Sequence, residues 1–332
     1  MDADLVLANA PLVLPDEMVT GSVMVRGGVI AAVDTGAGVP TGALDCAGAM
    51  LIPGLIELHT DNLERHLRPR PTVDWPHAAA VVAHDGEMAF AGITTVFDAL
   101  RVGWFHDGPS AAVLSGHTRA VVSQLSRIKA AAGLRIDHRV HLRADICSQT
   151  VLHDMDKFGP EDEIDIVSIM GHTPSQRQFR NIDHYRRHSM GRRYVSAAEV
   201  DKFITFAIDL RARVGSANLT GILEHARRLG AVLASHDDSS AEDVAASAAQ
   251  GMGFAEFPTT LEAAEACQAH GIPVMMGAPN VLRATSHFGN VAAIDLAGRG
   301  WLDMLSSDYA PAALLMGAMR LAQATWLAPW PR

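Results

Sequence analysis

A dense group of metal-type side chains closes the stretch M-L-I-P-G-L-I-E-L-H-T-D-N-L-E-R-H, residues 50–66. Strand side chains alternate faces, so His59 and Asp61 point the same way if the apolar run before them is a strand. An imidazole and a carboxylate together at a strand exit are two good ligands for a divalent cation. Further ionisable groups follow apolar runs elsewhere. Asp145 ends H-R-V-H-L-R-A-D, His172 follows I-V-S-I-M-G, His236 with Asp237 and Asp238 follows V-L-A-S, and Asp308 follows M-L-S-S. Each alone reads as a polar residue opening a loop. Leaving aside Asp237 and Asp238, the set holds three histidines and three carboxylates, more than one tetrahedral site takes. It suits two cations ~3.5–4 Å apart that share a bridging carboxylate, an arrangement that ionises water near neutral pH for hydrolysis.

For these residues to meet, the elements that carry them must converge. Apolar strand candidates lie at 50–58, 93–99, 138–145, 164–171, 231–235, 252–256, 273–276 and 302–307. Helical patterns run between them. Several open on a hydroxyl followed three residues later by Glu, at Ser196/Glu199, Ser239/Glu242 and Thr259/Glu262, and several close on Gly92, Gly133, Gly230 or Gly271. Eight strands with intervening helices over ~250 residues is the arithmetic of an α/β fold of the (β/α)8 TIM-like barrel type, whose chemistry gathers where the strands exit. An open doubly wound sheet is the alternative. Residues 4–9, 22–26 and 29–33 read as short strands, with Gly27-Gly28 as a hairpin turn between the last two. The expected organisation is therefore a small β-module over residues 1–49 and a hydrolase barrel over 50–332.

Composition narrows the class. The 332 residues are 48% hydrophobic and 19% charged, enough for a sizeable core. No apolar run approaches the ~20 residues of a membrane-spanning helix. The acidic N-terminus M-D-A-D-L-V lacks the regions of a secretory signal, and Cys46, Cys147 and Cys267 form no C-x-x-C pair. These features predict a cytoplasmic protein with no membrane partner and no disulfide framework. A net charge of −10 argues against a nucleic-acid partner. Basic residues are nevertheless concentrated. Six arginines (Arg177, Arg180, Arg186, Arg187, Arg192 and Arg193) crowd one stretch, and Arg65, His66, Arg68 and Arg70 another. The guanidinium fork suits phosphate oxygens, so the clusters read either as a polyanion cradle or as solvated faces with unrelated ion pairs.

P-G-L-I-E-L-H-T-D, residues 53–61, resembles the signature of the amidohydrolase superfamily, with Asp61 where most members carry the second histidine of H-x-H. Longer motifs narrow the likeness: H-T-D-N-L-E-R-H (59–66), H-L-R (141–143), H-T-P-S-Q-R-Q-F (172–179), A-S-H-D-D (234–238), A-E-F-P-T-T (255–260), M-G-A-P-N-V-L-R (276–283), S-H-F-G-N-V-A-A (286–293) and L-S-S-D-Y-A-P (305–311). Over essentially the whole chain these resemble the α-D-ribose 1-methylphosphonate 5-triphosphate diphosphatases of bacterial carbon–phosphorus lyase pathways. The resemblance implies a small-molecule substrate, a phosphorylated ribosyl phosphonate, hydrolysed to the 5-phosphate and pyrophosphate. It implies two divalent metal ions, whether zinc, manganese or iron, with His59, Asp61 and Asp308 around one, His172 and His236 around the other, and Asp145 bridging them. Asp308 is then the catalytic base. Asp237, Asp238 and Asn280 orient the histidines, and Arg65, His66, Arg177, Arg180, Asn280 and Arg283 bind substrate.

This chain departs from the family pattern in places. Asp145 stands where the family carries Glu, Gly171 where it carries Asp, Ala284-Thr285 where it carries Gly-Gly, and Phe288 where it carries Ser. Relatives also continue past T-W-L-A-P-W-P-R with strands that complete the small β-module, so that module is expected to be incomplete at its C-terminal side. Its open edge would be a surface for a homo-oligomer. Two other functional readings follow: a metal-binding homologue with impaired turnover, and a cyclic-amide hydrolase of the same superfamily.

Overall fold

The computed structural model describes residues 4–70, 73–104, 117–171, 196–284 and 290–324. His172, Arg177, Arg180 and Phe288 lie outside the described residues. The described chain divides into two compact units, one of residues 4–54 with 322–324 and one of residues 55–321.

The first unit is a four-stranded sheet of β1 (Leu5–Val13), β2 (Met18–Arg26), β3 (Val29–Thr35) and β4 (Leu44–Asp45), in the order β3-β2-β1-β4. Gly27 and Gly28 both take positive φ, 57° and 79°, which lets a two-residue turn join β2 to β3 without splaying them. Ala10, Leu12 and Val23 are its buried centre. Leu51 pairs with Leu12 of β1, and Pro53-Gly54 then interrupt the apolar run. The strand expected over 50–58 therefore starts only at Leu55. At the edge strand β3, Val29 and Ile30 are 65% and 68% exposed.

The second unit contains the eight-stranded barrel: β5 (Leu55–Thr60), β6 (Ile93–Val102), β7 (Asp137–Asp145), β8 (Ile164–Met170), β9 (Val232–His236), β10 (Phe254–Glu256), β11 (Val274–Gly277) and β12 (Met304–Ser306). The strands are parallel neighbours in sequence order. Helices occupy the connections as the periodicity predicts, and Ser196 makes the full capping box with Glu199. The other two caps sit one residue later than the Glu spacing suggests. Ser240 accepts from the Asp243 N–H and Thr260 from the Ala263 N–H, because a cap needs only an acceptor for the N3 amide. Among the described residues no helix is long and apolar enough to cross a membrane.

Inside the barrel Ile166, Ala234, Phe254 and Met275 form an apolar layer, joined by Leu58, Phe97, Phe257 and Met304. A side-chain period of two places Ser168, His236, Glu256, Gly277 and Ser306 one level higher on the same inward faces. Polar chemistry therefore stands on a hydrophobic floor.

The seam between β12 and β5 is closed mainly by side chains. The Glu57 carboxylate accepts from the His59 N–H and the Ser307 N–H, and the Ser306 hydroxyl donates to the His59 carbonyl. The Thr60 hydroxyl donates to the Asp308 carbonyl at 2.6 Å, where Thr60 and Asp308 also form a parallel bridge. Glu57 is fully buried, so Glu57→Leu would orphan two amides at a cost of about 2–6 kcal/mol, at ~1–3 kcal/mol for each unsatisfied group. Urea unfolding should show that loss as a lower midpoint with unchanged slope.

Candidate metal centre

Glu256, the last residue of β10, stands between two histidines. Its Oε2 is 2.8 Å from His236 Nδ1 and its Oε1 is 3.1 Å from His59 Nδ1. His59 is the penultimate residue of β5 and His236 ends β9, so three strands deliver these groups to one point, with ligand atoms within 4.8 Å of one another. The second contact is close but not aligned as a hydrogen bond. Among the described residues, His59 Nδ1 and Glu256 Oε1 are both buried with no hydrogen-bond partner. Orphaned buried polar atoms are costly, and an N/O donor set of this kind is what a divalent cation satisfies. The residues present fit a metal.

The electrostatics agree. Burial pushes His59 down to about 3, with Arg143 acting the same way and Asp61 opposing. Burial likewise pushes His236 to about 3 against the opposing pull of Glu256. Both rings are neutral at physiological pH, the state that can ligate a metal. His141, inward from β7, donates from Nδ1 to the Leu58 carbonyl and takes the Ser168 hydroxyl at Nε2, 3.5 Å from Glu256 Oε1. Phe257 sets its ring edge-on to both His59 and His236, centroids 5.1 and 5.3 Å away.

Around this core lies an acidic mouth. Asp308 is half-buried by surface yet deep in the barrel, and burial followed by Asp61 raises its carboxyl to about 7. Glu64 is raised by burial as well. Arg143 is their counter-charge, 3.6 Å from Asp61 Oδ2. Asp237, Phe257 and Asp308 all adopt left-handed backbone, φ 61°, 55° and 54°, just past the ends of β9, β10 and β12. Strained turns of this type are held in place by their surroundings and mark functional rims.

The structure brings His59, His236, Asp61 and Asp308 to one barrel end, and the other expected residues that it describes make contacts of their own. Asp145 is fully buried, but its Oδ2 meets Arg101 Nη2 at 2.7 Å and its Oδ1 accepts the Cys147 N–H. The carboxylate held between two histidines is Glu256, not Asp145. Arg65 and His66, expected at substrate, both bind Glu87 at 2.7 Å. Asn280 bonds the Val291 carbonyl and the Ala293 N–H, stitching two segments together. Asp237 Oδ2 is 3.4 Å from His236 Nε2, whereas Asp238 accepts from the Ser247 hydroxyl. Arg283 ends the helix Ala278–Arg283 and is exposed. Glu256, His141 and Arg143 escaped the sequence reading. Glu256 carries the same signal as His236, an ionisable residue ending an apolar strand, and His141 and Arg143 share one inward face by period two.

A second metal-type group lies between the barrel and the helix His77–Phe90: His84, Asp98 and His138. Its contacts read as a hydrogen-bonded relay. Asn62 bonds His84 Nδ1, His84 Nε2 bonds one Asp98 oxygen at 2.7 Å, and His138 Nδ1 bonds the other at 2.8 Å. Burial alone would raise Asp98, but His138 and His84 outweigh it and hold the carboxyl well below the usual range.

No protein-family model matches the chain. It is 41% identical over 318 residues to the alpha-D-ribose 1-methylphosphonate 5-triphosphate diphosphatase of Escherichia coli K12, covering 96% of this chain and 83% of that protein. Solved structures share the fold. N-isopropylammelide isopropylaminohydrolase of Burkholderia multivorans aligns with TM-score 0.57 at 15% identity, covering 98% of this chain and 81% of that one. Ochratoxinase of A. niger aligns with TM-score 0.51 at 13% identity, covering 99% and 82%.

Two outcomes follow from this geometry. Glu256→Gln should lower metal bound per chain, read by elemental analysis after dialysis, while the circular dichroism stays unchanged. Asp98, whose folded-state carboxyl is depressed, stabilises the protein above pH ~4, and that stability is lost as pH falls below ~4. Acidification from about pH 5 to about pH 3 should therefore lower the melting temperature of the native protein more than that of Asp98→Asn.

Proposed function

The chain belongs to the family of α-D-ribose 1-methylphosphonate 5-triphosphate diphosphatases, and from that premise we propose that it hydrolyses this triphosphate to the 5-phosphate and pyrophosphate in phosphonate catabolism. The observation that carries the reading is Glu256 set between His59 and His236, with Asp308 beside them at the same barrel mouth. Two divalent cations, zinc, manganese or iron, are the assigned cofactor. His59, His236 and Glu256 with Asp61, Asp308 and His172 are the residues that would hold them. When bound, they supply a water ionised near neutral pH and positive charge for the leaving pyrophosphate.

This chain's residues do the rest. Asp308, raised toward neutrality, is matched to accept the proton of the attacking water. The water oxygen forms a bond to phosphorus as the bridging P–O bond breaks, and pyrophosphate leaves with that electron pair. The floor of Ile166, Phe254 and Met275 keeps bulk solvent from the lower face, which strengthens every charge interaction above it. Arg177, Arg180 and Arg283 remain assigned to the substrate's phosphates.

The Asp145–Arg101 pair favours a second reading, a metal-binding homologue of reduced turnover, because a carboxylate so paired is less available to a cation. A net charge of −10 and the absence of a membrane-length apolar helix among the described residues support a cytoplasmic enzyme without nucleic-acid or membrane partners. The test is pyrophosphate release from the ribosyl 5-triphosphate by metal-loaded protein. Asp308→Asn should cut that release about 10²–10⁴-fold, the usual worth of a general base, while metal content is retained. Full metal content without release by the native chain would establish the second reading instead.

A further inference from the structure

Arginines in this barrel are mostly spoken for. Arg65 is held by Glu87, Arg135 by Asp85, Arg139 by Asp137 and Asp165, and Arg101 by Asp145, each with a contact of 3.0 Å or less. Arg143 is held differently. Its side chain is 14% exposed, yet its Nε finds only the Met170 thioether at 3.4 Å, and its one ion pair among the described residues is Asp61 at 3.6 Å, too long for a hydrogen bond. Among the described residues, then, a nearly buried guanidinium has no directed oxygen acceptor, and its desolvation is not offset by the bonds that normally do so.

Its position says what those bonds are for. Arg143 is on β7 directly across from Arg101 of β6 in the parallel register, on the inward face two residues beyond His141. The carboxylates whose charges act on it most strongly are Asp61, Glu64, Asp308 and Glu256. Three of these belong to the set that would hold metal. A cation placed among them would take over the carboxylates that now balance Arg143, leaving a guanidinium facing cations across a small gap. The species that reconciles them is a multiply charged oxyanion lying between, and the planar fork of arginine matches phosphate oxygens two at a time.

We propose that Arg143 is a substrate-binding residue of the diphosphatase, exchanging its present carboxylate neighbours for phosphate oxygens of the triphosphate when cations occupy those carboxylates. The assignment rests on the reading under Proposed function. It carries a signature that a structural arginine lacks. Removing the guanidinium takes a competing positive charge away from the metal ligands and a donor pair away from the anion, so metal affinity and anion affinity move in opposite directions.

The experiment uses the full chain and inorganic pyrophosphate as probe. Metal affinity is read by chelator competition, and pyrophosphate binding to metal-loaded protein by calorimetry, for native, Arg143→Gln and Arg143→Lys proteins. Arg143→Gln should bind metal as tightly as the native protein or more so, and pyrophosphate about 10- to 100-fold more weakly, the range expected for charge-assisted hydrogen bonds. Arg143→Lys keeps the charge without the fork and should recover part of that loss. Native-like pyrophosphate affinity in metal-loaded Arg143→Gln overturns the proposal, and so does a joint loss of metal and pyrophosphate. Should Arg143→Gln not fold, native-like pyrophosphate affinity in Arg143→Lys overturns it in the same way. Failure of the native enzyme to release pyrophosphate from a ribosyl 5-triphosphate would sink the proposed reaction, whereas the binding comparison decides Arg143 by itself.

Discussion

Gathering acids where water is scarce is the constraint on which this barrel is built. Glu57, Asp61, Glu64, Glu256 and Asp308 come from three strand ends and the loop and helix that follow them, and burial raises Glu57 and Asp308 to about 7. The same burial drives His59 and His236 down to about 3, so the site resists charge of either sign on its own residues. Such a place can be neutralised by protons or by cations. Among the described residues Arg143 is the one cation paired with Asp61, and a single guanidinium does not balance this many carboxylates. The surplus of acceptors and the neutral imidazoles are two sides of one preparation for divalent metal.

Holding that preparation in place is the work of the scaffold. Parallel strands with a period of two lift His236, Glu256 and Ser306 one level above an apolar layer, so packing below fixes where the polar groups stand. The β5–β12 seam is the weak point of the ring, because the described ladder there is reduced to the Thr60–Asp308 bridge. Glu57, Ser306 and Thr60 replace the missing ladder bonds with side-chain ones. The same bonds set the backbone of His59 and Asp308. Closure of the barrel and the geometry of the site are thus one set of hydrogen bonds.

Much of this was legible in the residue order. Eight apolar runs at barrel spacing located every strand, and His59, His236 and Asp308 fell at strand exits because hydrophobic patterning reports burial directly. What sequence could not tell is which neighbour a side chain chooses. Arg65 and His66 look like phosphate ligands beside a metal motif, but Glu87 sits one helix away and takes both. Glu256 went unassigned although A-E-F-P-T-T was read as a motif, because β10 is only three residues long and a lone Glu ending it has many ordinary uses. His84, Asp98 and His138 are far apart in sequence, and their union depends on outward faces of β6 and β7 meeting one helix, which no local pattern encodes.

Asp145 ties these strands of argument together. It ends a strand whose position is fixed by eight register pairs with β6, and that register sets where its carboxylate stands. The residue it does reach is Arg101, one strand over, at 2.7 Å. That pair is buried on the Asp145 side, so the Asp145 charge is balanced by its neighbour. Glu256 by contrast turns both oxygens to histidines. Among the described residues it is therefore Glu256, at the end of β10, that stands between two histidines, while Asp145 at the end of β7 stands against Arg101.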